Sequence, residues 1–260
     1  MIGLTDLLRL VKTEGMKVLD RTRTWVFLML LVLLSFLFAM GRKWMENTTG
    51  WEENMGGFVL DSSSLLFVVQ LLTVVIAGEI VSSEFAWGTV KLLLIRPVNR
   101  TKVLYSKYMV VLCFSLLCMA VLFLSSMLFG AVLFRVYSPE GMVLLRETGV
   151  VYGLRWVEIV MVATMAFMLS TLSRSSSLGV GLSIFLVFAG MMLVEGLKMI
   201  GISLGKYLLF ANLDLTQYLE GAIPAFSGMT PGFSIGILSV YFLLFHLISW
   251  LSFVKRDISI

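Results

Sequence analysis

The sequence predicts an all-α polytopic membrane protein with six transmembrane helices preceded by an amphipathic interfacial helix. Three observations predict it. The 260-residue chain is 59% hydrophobic and only 14% charged, whereas soluble domains carry about 25% charged residues. Its uncharged stretches reach the length that crosses a ~30 Å hydrocarbon layer at ~1.5 Å per helical residue. No polar stretch is long enough to fold as a separate aqueous domain, so residues 1–260 read as one membrane domain.

Taken in order, residues 1–23 come first. Leu4, Leu7, Leu8, Val11, Gly15 and Val18 recur at helical spacing, and Asp6, Arg9, Lys12, Thr13, Lys17 and Asp20 fall on the other face. Such a helix lies in the interface, apolar side down, with Lys and Arg toward lipid headgroups. Its mixed charge and the absence of a cleavage site exclude a secretory signal. The spans follow at about 24–41, 62–78, 108–134, 156–172, 175–194 and 233–254. The fourth is the weakest, with Glu158 expected in its first turn. The last uncharged stretch, 221–254, is too long for one crossing. Pro224 and Pro231 break it, which places the span after them.

Six spans put both termini on one side. That side carries 13 Lys and Arg against 7 on the other, so the positive-inside rule makes it cytoplasmic and both termini cytoplasmic. The net charge of +4 sits beside apolar runs rather than on one polar face, which excludes nucleic acid as a partner. Cys113 and Cys118 lie five residues apart in one apolar run, on different faces of a helix, with no His or carboxylate nearby. They read as packing residues, not a disulfide or a metal site. Asn47 and Asn99 both begin glycosylation sequons, in loops on opposite sides, so glycan on Asn99 would overturn the orientation.

Residues 79–107 are the most informative segment. Five basic residues, Lys91, Arg96, Arg100, Lys102 and Lys107, sit between two apolar runs. Ser82 or Ser83 is placed to cap a short helix, with Glu84 at its positive end. Phe85, Trp87, Val90, Leu93 and Leu94 supply apolar contacts, Pro97 stops the helix, and Asn99 caps the next one. An amphipathic helix of this kind fits a groove on a partner protein. Snorkelling Lys and Arg in an interfacial loop would give the same pattern.

The run Glu84-Phe85-Ala86-Trp87-Gly88-Thr89-Val90-Lys91-Leu92-Leu93-Leu94, then Arg96-Pro97-Val98-Asn99-Arg100, resembles the first cytoplasmic loop of ABC transporter permeases of the type-2 family. The tail Phe253-Val254-Lys255-Arg256-Asp257-Ile258 is similar to the basic-basic-Asp sequence after the last span of that family. The resemblance implies a permease that pairs with a second six-span subunit, as a homodimer or heterodimer. Each subunit engages a separate cytoplasmic ATPase that binds ATP and Mg. The 79–107 loop would be the coupling helix seated in that ATPase, and most such systems export. On these grounds Glu84, Trp87, Gly88, Thr89, Leu93, Pro97 and Arg100 are the candidate coupling residues. Gly88 would allow close backbone approach and Pro97 would end the helix. In the family, 198–232 is similar to an outer gate. The apolar and broken composition of that segment fits re-entrant structure better than a polar loop.

The chain has no phosphate-cradling loop of its own. Its one Gly-Lys pair, Gly205-Lys206, is followed by Tyr207, and Ile200 stands where the first Gly is needed. An enzyme reading would need convergent catalytic groups at membrane depth, and the sequence offers one histidine and no intramembrane acidic pair. A channel or ion-coupled carrier is the alternative. It would need ionisable residues in the span centres, which are expected to hold almost none. His246 is expected to be a packing or hydrogen-bonding residue. Glu79 and Glu195 are candidates for charge pairing, with a basic residue beside the loop and along a substrate path respectively. The 17 Met residues are scattered, without the Cys or His clusters a soft-metal carrier needs.

Overall fold

The computed structural model describes residues 4–50, 52–86, 99–136, 139–173, 175–219 and 224–254. Among them the protein is all-helical, and the sole β feature is an isolated bridge between Asn54 and Arg135. The helices are α1 (Leu4–Leu19), α2 (Thr22–Thr49), α3 (Met55–Asp61), α4 (Leu66–Glu79), α5 (Ser82–Ala86), α6 (Arg100–Leu133), α7 (Pro139–Leu172), α8 (Ser176–Ile200), α9 (Leu209–Leu213) and α10 (Pro231–Val254). Six are long and apolar enough to cross a membrane: α2, the α3–α5 run, α6, α7, α8 and α10.

The local chemistry sets the ends of these elements. Asn54 caps α3 by accepting from the Gly57 N–H at 2.8 Å. Asn99 caps α6 by accepting from Thr101 at 3.0 Å, as the sequence predicts. Gly50 and Gly201 close α2 and α8 with φ of 72° and 76°, the left-handed conformation that glycine adopts without a Cβ penalty. Pro139 and Pro231 open α7 and α10, where a missing N–H costs nothing.

Helices α6 and α7 have 34 residues each, about 51 Å of helix, and both reach past a hydrocarbon core. The expected loop at 135–155 is therefore largely helical, and Glu158 lies in the middle of α7 rather than in its first turn. The second span likewise begins at Met55, with a 3₁₀ turn at Ser62–Leu65 joining α3 to α4.

The α3–α5 run, α6 and α7 form the centre of the bundle, and α2, α8 and α10 pack around them with much of their apolar surface outward. The α3–α5 run and α7 are parallel, touching at Gly56 and Gly141 at one end and at Ser82 and Ser170 at the other. Small residues allow these approaches. A Cβ on Gly179 of α8 would sit 2.3 Å from the Gly78 carbonyl oxygen of α4, whereas one on Gly181 would meet nothing within 4 Å. Gly179→Val is expected to cost about 3 kcal/mol by overpacking and Gly181→Val almost nothing. Thermal unfolding of the two purified variants checks the difference.

The described part of the 198–232 segment is apolar and broken rather than a polar loop. Short 3₁₀ turns flank α9, which buries Leu209, Ala211, Asn212 and Leu213. Asn212 donates to the Lys206 and Leu208 carbonyls, each at 2.8 Å, and accepts from the Ser234 hydroxyl at 2.7 Å. These bonds satisfy irregular backbone where water is scarce.

Candidate functional site

The sequence directs attention to the end of the second span. There the helix breaks between Glu79 and Ser82. A break removes i→i−4 bonds and leaves N–H groups without acceptors. The Ser170 hydroxyl of α7 takes two of them, from Val81 at 3.2 Å and Ser82 at 3.1 Å. The Ser82 hydroxyl donates to the Gly78 carbonyl at 3.0 Å. This pins the break in place and aims α5, with Glu84 in its first turn, at the N-terminal part of α6.

Lys107 of α6 meets Glu84 there. Its Nζ lies 2.6 Å from Glu84 Oε1 and 2.5 Å from Glu14 Oε2 of α1. Lys17 closes the group, 2.5 Å from Glu14 and 3.9 Å from Glu84. Lys107 is 1% exposed and Glu14 7%. A cation that deep is tolerated because two carboxylates share it. The four charges sum to zero and join α1 to α5 and α6, which lie far from it in sequence.

A second group stands beside the first. Arg21, at the corner between α1 and α2, donates to Glu79 at 2.5 Å, and Arg23 grips the same carboxylate with both terminal nitrogens. Bidentate arginine fixes orientation as well as charge. Glu79 therefore has basic partners, and they come from the corner between α1 and α2.

Of the other residues singled out in the sequence, Arg100 donates to the Val254 carbonyl at 3.3 Å, and Trp250 donates to Thr101 at 3.1 Å. The start of α6 is thus tied to the end of α10. Trp87, Gly88, Thr89, Leu93 and Pro97 lie outside the described residues, as do residues 255–258 of the tail. Glu195 is exposed near the far end of α8, where Lys198 of its own helix lies at 3.9 Å, and among the described residues it does not join the cluster. His246 packs against the rings of Tyr105, Tyr108 and Phe242. Cys113 is exposed and Cys118 buried. Among the described residues no group of three or more His, Cys, Asp or Glu could hold a metal ion.

Two features escape a reading by apolar runs. Glu14 falls between Val11 and Val18 at helical spacing, which assigns it to the packed face of α1, and Leu8 is left exposed. A buried charged group also lies midway along α7, where its uncharged stretch begins. Glu158 is 5% exposed in mid-α7, 2.7 Å from Arg155, which reaches Asp214 at 3.3 Å. The i, i+3 spacing of Arg155 and Glu158 was the available signal.

The Glu14 carboxyl gives the cluster a pH dependence. Burial pushes its pKa up. The Lys107 charge, hydrogen bonds from Lys107 and Lys17, and the Lys17 charge more than offset this, so the group titrates below an ordinary glutamate. A lowered folded-state value means stability that is complete above the ordinary glutamate range. That stability is lost as pH falls through the folded value. Between about pH 5 and pH 3, wild type is expected to lose more thermal stability than Glu14→Gln. Parallel melting curves of the two proteins check this.

A bundle of six apolar helices with a buried ionic joint at one end defines a polytopic α-helical membrane protein. The chain belongs to the DUF2705 family, described as proteins of unknown function, whose model matches residues 26–259. It is 38% identical over 246 residues to the uncharacterized membrane protein YdbK of Bacillus subtilis (strain 168), covering 94% of this chain and 100% of that protein. It is 42% identical over 216 residues to the uncharacterized protein YhcI of the same organism, covering 78% of this chain and 68% of that protein.

Proposed function

We propose that this chain is the membrane-spanning permease subunit of an ATP-driven ABC transporter of the type-2 family, acting as an exporter in the cell membrane. The observation that carries the reading is the clamp on Glu84. The loop that resembles a coupling helix begins at a residue locked to α6 by Lys107, which also holds Glu14 of α1, and approached from α1 by Lys17. The other end of the loop runs into α6, whose first turn is tied to α10. A push on such a loop would reach four helices at once. This is what a subunit driven from outside its own chain requires.

In this reading a separate cytoplasmic ATPase holds ATP and Mg and seats the 79–107 segment, so the α1 end of the bundle faces the cytoplasm. A second permease subunit pairs through the apolar outer faces of the bundle. Substrate passes between the two subunits, and the packed 198–232 segment forms the outer gate. The chain itself performs no bond chemistry. Co-purification in mild detergent tests the proposal. A nucleotide-hydrolysing protein carrying G-x-x-x-x-G-K-[ST] is expected to accompany this chain, and a chain that transports with no such partner sinks it.

An ion-coupled carrier is the second reading, favoured by the buried Glu158–Arg155 pair midway along α7. Glu158→Gln separates the two: a carrier loses its ion dependence, whereas the permease keeps its ATP dependence.

A further inference from the structure

Helix α1 presents three distinct faces. Val11, Glu14 and Val18 turn toward α6 and the core. At 3.6 residues per turn, Leu8, Lys12, Met16 and Leu19 share an arc about a third of the circumference away, and all four are exposed. Arg9, Thr13 and Lys17 complete the circle, also exposed. The acidic residue of the central turns, Glu14, is turned inward and neutralised by Lys107 and Lys17. The outward charge of those turns is therefore cationic. Arg9 and Lys12 form no ion pair with any described residue, and Asp20 is the exposed acid just past the helix end.

Exposed apolar surface does not end with α1. Past the corner at Asp20 and Arg21, Trp25, Val26 and Met29 of the first span are all more than half exposed. The outward surface of a membrane span meets lipid, Trp25 marks the headgroup level, and α1 ends at Leu19, just before that span. Lys12 lies within the apolar arc and Arg9 at its edge, where lipid phosphates would stand.

We propose that α1 binds anionic phospholipid headgroups of the adjoining leaflet through Arg9 and Lys12, with Leu8, Met16 and Leu19 set in the acyl boundary. This contact holds Glu14 against Lys107. Lipid charge on one side of α1 is thereby linked to Glu84 on the other. The inference stands apart from the transporter reading, because neither the lipid contact nor the Glu14–Lys107–Glu84 chain needs an ATPase.

The full-length protein in detergent is melted with phosphatidylglycerol, with phosphatidylcholine or with inorganic phosphate. Phosphatidylglycerol is expected to raise the wild-type midpoint by about 4 °C over phosphatidylcholine, in line with two cations near an anionic surface. Arg9→Gln/Lys12→Gln should keep the phosphatidylcholine midpoint and lose most of that gain, and inorganic phosphate should add nothing. In nanodiscs, phosphatidylglycerol should slow amide exchange over residues 82–86 of wild type but not of Glu14→Gln. Equal gains from both lipids, a full gain in the double variant, a shift reproduced by free phosphate, or exchange indifferent to lipid would each overturn the proposal.

Discussion

Lys107→Met is expected to lower the stability of the protein by about 3–5 kcal/mol, the cost of leaving buried charge without its partner. The substitution preserves most of the side-chain volume and removes the cation. Two carboxylates, Glu14 and Glu84, are then left near each other in a site where Lys107 is 1% exposed. At roughly 2–4 °C per kcal/mol for a chain of this size, the midpoint falls by about 10 °C. The triple variant Glu14→Gln/Lys107→Met/Glu84→Gln should recover most of the loss, because removing a whole buried ion group is often near neutral. Melting the single and triple variants side by side separates charge from packing. A single variant as stable as wild type would mean that Lys107 does not hold α1 and α5 together.

Glu84→Lys is the second large effect. It places a third cation where Lys107 and Lys17 now approach the carboxylate at 2.6 and 3.9 Å. Three like charges repel, α5 leaves α6, and the 79–107 segment loses its fixed start. Insertion in the membrane should survive, because Glu84 ends the second span rather than occupying its centre. Stimulation of the proposed partner ATPase should fall on the order of tenfold, equivalent to ~1.4 kcal/mol of contact energy. The readout is nucleotide hydrolysis by the co-purified complex, with membrane yield as the control. Normal stimulation in the variant would remove Glu84 from the coupling path.

Much of this architecture was legible in the residues. The core of every span shows as an uncharged run because a lipid-facing helix has no other way to exclude water. Asn99 and Pro231 announce helix starts by local chemistry alone. The span limits were less legible. Helix α7 extends back to Pro139 through Arg146, Glu147 and Arg155, since helical structure does not stop where the hydrocarbon does. The site was half legible. Glu84 stood out through its place in the loop. Lys107 read as one more basic residue at a span start, and Glu14 was hidden among the charges of an amphipathic helix. Their meeting joins positions 93 residues apart, and no local pattern encodes a contact of that range. The pairing of Arg21 and Arg23 with Glu79 is of the same kind.

The central claim is that force enters these helices through the segment just after the second span. Placing a photo-cross-linking side chain at Thr89 in the otherwise native chain, within intact cells, tests it most directly. Illumination should join this chain to a cytoplasmic nucleotide-hydrolysing protein, while the same group at Thr48, at the end of α2 remote from Glu79, gives no such product. A Thr89 probe that reacts only with reagents confined outside the cell, or that captures no ATPase while transport continues, would contradict the claim.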